Sequence, residues 1–124
     1  MVKNYVIPIY GAKVTVCISE NYDKDKAMFK NKFGNVSEDF SDLDCFCCWN
    51  ENNFGVFIIK EKLDINILAH ELFHLTIRIL TYYELKFDVD NHESYAYLNG
   101  YLNELIVPDI IKKVKTFKKE LITK

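Results

Sequence analysis

Two short apolar runs open the chain, Tyr5–Tyr10 (YVIPIY) and Lys13–Ile18 (KVTVCI), on either side of Gly11-Ala12. Alternation and β-branched side chains predict two strands, joined as a hairpin. Pro8 has no N–H to give to a ladder, so the first strand belongs at a sheet edge. From Ser19 to Asp42 the chain is polar and charged without strong periodicity. That stretch predicts a long connection holding one short helix around Lys24–Lys32. Leu43–Trp49 (LDCFCCW) and Phe54–Lys60 (FGVFIIK) then flank Asn50-Glu51-Asn52-Asn53, a turn-forming cluster that predicts a second hairpin.

Asp64 reads as the N-cap of a helix over Ile65–Tyr82. Ile65, Leu68, Leu72, Leu75 and Ile79 give it one apolar stripe. Phe73, Ile77 and Leu80 add apolar groups elsewhere on its circumference, which predicts a buried central helix with almost no polar face. A polar break at Glu84–Asn91 leads to a second helix over about His92–Val107. Pro108 is expected to end it or to start a third, Asp109–Ile122. Ile110, Val114, Phe117 and Leu121 form a stripe on that third helix, opposite a lysine-rich solvated face. The stripe either closes the core or makes a dimer, and the pattern does not choose. The expected architecture is α+β: a small, mainly antiparallel sheet on the central helix, with one or two further helices.

Composition narrows the function classes. At 124 residues the chain fits one domain, and 49% hydrophobic with 15% aromatic content is globular rather than disordered. A net charge of −2 gives no electrostatic case for nucleic acid or an anionic membrane as partner. The N-terminal MVKNYVIPIYGAKV lacks a signal-peptide h-region, and no apolar run has the length of a membrane span. A cytoplasmic setting with reduced Cys17, Cys45, Cys47 and Cys48 is expected. On an alternating strand C-x-C-C puts Cys45 and Cys47 on one face and Cys48 on the other. That is poor geometry for a common ion, so the thiols read as small apolar residues. Tyr95, Tyr97 and Tyr101 recur at helical spacing, which reads as a core edge rather than a base-stacking surface.

The candidate chemistry lies in the central helix. His70 and His74 are four residues apart with Glu71 between them, the segment HELFH. At helical pitch, positions i and i+4 share one face, so both imidazoles can reach one ion. Glu71 follows His70 by about 100° of rotation, at the rim of that face. From there its carboxylate can reach a water on the metal without being a ligand, the mechanical content of H-E-x-x-H in zinc hydrolases. One Zn²⁺ per chain is the expected cofactor, the default metal for two histidines and a carboxylate.

A catalytic zinc takes three protein ligands and leaves the fourth position to water. The next donors along the chain are His92 and Glu93. Eighteen residues separate His74 from Glu93, and Glu93 is the preferred third ligand, with His92 as the alternative. Asp90 followed by Glu93 also matches D-x-x-E, an approximation to a capping box.

HELFH followed by eighteen residues and Glu93 resembles the gluzincin branch of the zinc metallopeptidases. HELFHLTIRIL, a short loop and HESYAYLNGYL resemble, more closely, small zincin-like proteins encoded by bacteriophages and related mobile elements. The similarity covers roughly Phe54 to Val107. It implies a minimal zincin-like fold and a zinc metallopeptidase acting on a peptide or protein substrate. It further implies that Glu71 is the general base and that an oxyanion donor lies nearby. Tyr97, one turn beyond Glu93, and Arg78, one turn beyond His74, are the candidate donors, with Tyr101 a more distant one. The strand Phe54–Lys60, leading straight into the helix, resembles the zincin edge strand that binds extended peptides. Gluzincin peptidases are usually larger, with a further domain forming the other wall of the cleft. A second reading therefore stands beside the first: a catalytically silent binding or regulatory module with structural metal.

Overall fold

The computed structural model describes residues 1–8, 10–33, 44–85, 90 and 92–122, with side chains as far as residue 113. Four strands and three helices follow in the order β1 (Val2–Ile7), β2 (Ala12–Ser19), α1 (Tyr22–Phe33), β3 (Cys45–Asn50), β4 (Asn53–Ile59), α2 (Ile65–Tyr82) and α3 (His92–Ile122). The class is α+β, as the pattern predicts.

Both hairpins form. β1 pairs antiparallel with β2 from Val2↔Cys17 to Ile7↔Ala12, and β3 pairs with β4 from Cys45↔Ile58 to Asn50↔Asn53. The second turn closes through Glu51, held at a positive φ of 54°. The hairpins join in parallel, β2 against β4 from Lys13↔Asn53 to Ser19↔Ile59, giving the order β1-β2-β4-β3. Local alternation does not encode that seam. Its signature is the near-continuous apolar run in both central strands, which are buried on both faces.

Side-chain parity sorts the two faces. Tyr5, Ile7, Val14, Val16, Phe54, Val56 and Ile58 pack with Leu68, Leu72, Leu75 and Ile79 of α2, and with Leu98, Leu102, Ile106 and Ile110 of α3. On the opposite face Cys17, Phe46, Cys48 and Phe57 meet Phe29 and Phe33 of α1. Helix α1 comes very close to the sheet at Gly55, where a Cβ atom would stand 2.6 Å from the Phe33 ring and 2.9 Å from the Phe29 ring.

Asp64 caps α2, its Oδ1 accepting from the Ile67 N–H at 2.7 Å. The other end closes on a Schellman motif without glycine. Glu84 takes φ 64°, while the Leu85 N–H reaches the Leu80 carbonyl at 3.0 Å and the Glu84 N–H that of Thr81 at 2.9 Å. The expectation that α2 has almost no polar face does not hold: His70, Phe73, His74, Arg78 and Thr81 are exposed along one side.

Pro108 neither ends a helix nor starts one; it sits inside α3. Ile106 and Ile110 are anchored in the same core on either side of it, and the Tyr5 hydroxyl donates to Asp109 Oδ2 at 2.7 Å. The proline is exposed, so water can reach the carbonyl that its missing N–H leaves free. Helix α3 opens at His92, and the residue before it, which the capping-box reading of Asp90 and Glu93 involves, lies outside the described residues. In the apolar stripe expected beyond Pro108, Ile110 is buried, and Val114, Phe117 and Leu121 fall outside the described side chains. Among the described residues no helix is long and apolar enough to cross a membrane.

Candidate metal centre

His70 and His74 face solvent on the second and third turns of α2, and their Nε2 atoms stand 3.0 Å apart. Two nitrogens bound at 2.0–2.1 Å to a tetrahedral ion lie roughly 3.3 Å apart. The pair therefore fits two corners of a zinc site with a small opening of the rings. Between neutral imidazoles the same distance suits a hydrogen bond, one ring donating to the other.

Glu71 turns away from the solvent toward β3 and is 6% exposed. Parity puts Cys45, Cys47 and Trp49 on the face of β3 that looks at α2. The Cys47 thiol donates to Glu71, standing 3.1 Å from its backbone carbonyl and 3.3 Å from Oε2. Burial, then the negative charge of Glu71, pushes the Cys47 thiol well above its ordinary pKa, so it is a donor and not a thiolate at neutral pH. Burial likewise raises Cys17, to about 11. All four cysteines are free thiols, and Cys48 looks the other way, 3.9 Å from the Gly55 carbonyl. The apolar reading of the cysteines agrees with this placement, except that Cys47 also takes a polar role.

Arg78, one turn past His74, lies over the indole of Trp49, its guanidinium carbon 3.8 Å from the ring centre. Two of the three side chains expected to act in catalysis, Glu71 and Arg78, thus lean on β3. Tyr97 does not join them: it stands on α3 and is 78% exposed. Tyr101 is also exposed, whereas Tyr95 is buried and donates its hydroxyl to the Leu85 carbonyl.

Glu93 is not brought to the histidines. Its side chain is 71% exposed, and its Oε1 lies 3.5 Å from Nε2 of His92 on the same first turn of α3. Helix length explains the offset. Thr76 Oγ1, which donates to the Leu72 carbonyl, sits 3.4 Å from Asn99 Oδ1 and fixes where the antiparallel helices meet. Six residues onward along α2 and six back along α3 bring Tyr82 level with Glu93. That level is about 12 Å along the helix from His74 at 1.5 Å per residue. Among the described residues no three His, Cys, Asp or Glu side chains gather as a metal-binding group.

The strand that leads into α2 is not an edge. β4 is hydrogen-bonded on both sides, to β2 and to β3, and the strand bordering the Glu71 flank is β3. Sequence reasoning missed Cys47 and Trp49 as neighbours of the site. Their shared parity was visible; the assignment of β3 to that border depends on the parallel β2–β4 seam. Comparisons of the chain with protein-family models, with curated proteins and with solved structures find no match.

Proposed function

We propose that this chain is a zinc-dependent, zincin-like hydrolase of peptide or amide bonds, with His70 and His74 as metal ligands and Glu71 as general base. One observation carries the reading: two imidazole nitrogens converge to 3.0 Å on an exposed helix face, with a carboxylate one residue from the first. Zinc bound there would acidify water and polarise a substrate carbonyl. Glu71 would accept the proton of the attacking water and return it to the leaving amine. The Cys47 thiol holds the Glu71 side chain in place between the helix and β3.

Metal content tests the core of this reading. Wild type purified without added metal is expected to carry about one zinc per chain, and His74→Ala to carry almost none. A folded wild type that neither holds zinc nor takes it up on titration removes the proposal. Glu93→Gln, measured alongside, decides the third ligand. From the level at which Glu93 stands, its zinc affinity is expected within twofold of wild type. A tenfold or greater loss would instead assign the third position to Glu93, as the resemblance implies.

A second reading is favoured by the bond between Cys47 and Glu71, which occupies one oxygen of the would-be base. Under it the domain is a binding or regulatory module in which metal stabilises the fold.

A further inference from the structure

Arg78 is the only arginine of the sequence and Trp49 the only tryptophan, and the two are stacked. Fifteen further cations are lysines, so the one planar guanidinium sits one helical turn from the candidate metal ligand His74. Stacking fixes the plane of the guanidinium and covers one face with a surface that takes no hydrogen bond. Its N–H groups point along the plane, in the fork that matches a carboxylate. Among the described residues Arg78 forms no ion pair or hydrogen bond that would fill that fork; its neighbours are the indole and, through its charge, the Cys47 thiol. Arg78 is exposed, while Trp49 is half-buried at the border of β3.

We infer that the stacked Arg78–Trp49 pair is a carboxylate-binding subsite beside the metal centre, so that the substrate is a peptide bearing a carboxylate close to the bond attacked. The inference rests on the hydrolase reading of His70 and His74. Four residues of helix separate His74 from Arg78, about 6 Å of rise. An extended peptide covers 3.3–3.6 Å per residue, so the carboxylate falls about one to two residues from the scissile bond. A C-terminal α-carboxylate and an acidic side chain share this chemistry. Arg78 in this role is a specificity determinant rather than the oxyanion donor that the resemblance implies.

The test uses the emission of Trp49, which reports on the stacked guanidinium whether or not any bond is cleaved. The full chain is titrated at constant ionic strength with acetyl-trialanine as the free acid, with its C-terminal amide, and with acetyl-Ala-Asp-Ala-amide. At least tenfold tighter apparent binding of a carboxylate-bearing peptide than of the neutral amide is expected. Arg78→Gln should abolish that difference with zinc content intact, and Arg78→Lys should restore part of it. Preference for the first peptide assigns a C-terminal carboxylate, and preference for the third assigns an acidic side chain. Equal response to all three, no response, or an unchanged difference in Arg78→Gln overturns the inference. Repeating the titration on chelator-treated protein and on His74→Ala separates the two proposals. A surviving acid-over-amide difference without bound metal makes the subsite independent of the metal, so it stands even where wild type fails to take up zinc and the hydrolase reading falls.

Discussion

Glu71→Gln is expected to lower hydrolysis of any peptide or amide that the wild type cleaves by about 10²–10⁴-fold, the usual worth of a positioned general base. The amide is nearly isosteric with the carboxylate and its oxygen can still accept from Cys47, so packing against β3 is preserved. Zinc content should stay at the wild-type level, and Tm should move by less than ~4 °C, equivalent to about 1 kcal/mol. Matching losses of fold and activity would make Glu71 a structural residue. Unchanged turnover would remove it from the mechanism. A wild type that holds zinc and cleaves none of a broad peptide panel supports the module reading instead.

The largest effect on stability is expected at Gly55. Alanine there puts a methyl group into the rings of Phe33 and Phe29, both almost fully buried, so α1 must lift from the sheet or the rings must leave their rotamers. Overpacking of this kind costs roughly 1–3 kcal/mol, and valine should exceed the alanine cost. For a chain of this size, a Tm drop on the order of 10 °C in Gly55→Ala is expected. Gly100→Ala is the contrast. Gly100 lies within α3, exposed, with nothing within 4 Å of its would-be Cβ, and alanine there should stabilise by about 0.5–1 kcal/mol. Thermal melts of the two variants side by side check the sign as well as the size. Equal melting points would mean that α1 does not bear on Gly55.

Legibility in the sequence followed the range of the interactions. The hairpins, the Asp64 cap, the span of α2 and the convergence of His70 with His74 rest on neighbours within a few residues, and periodicity exposes such features. Pro108 misled because its local penalty is small beside the anchoring of Ile106 and Ile110, which depends on a sheet built from strands between Val2 and Ile59, far from the helix in sequence. The third ligand was illegible for a related reason. Eighteen residues between His74 and Glu93 state a chain length, whereas alignment across a helical hairpin depends on where the two helices meet. The stop after Tyr82 was readable, but the meeting of Thr76 with Asn99, which sets the level at which Glu93 stands, was not. The parity that turns Cys47 and Trp49 toward α2 was readable, but not the strand order that sets β3 beside Glu71 and Arg78.

The parallel seam between the hairpins has a kinetic consequence. Each hairpin closes over a short turn and can form on the microsecond scale. Thr15 and Gly55, by contrast, are partners across forty residues that include all of α1. Closing that loop costs chain entropy before the central strands return any burial, so docking of the two hairpins is the expected slow step of folding. Until it occurs, β2 and β4 each present a long apolar edge with unpaired N–H and C=O groups. During synthesis β2 and α1 emerge before β4 exists, which makes the nascent first hairpin the species most exposed to pairing with another chain.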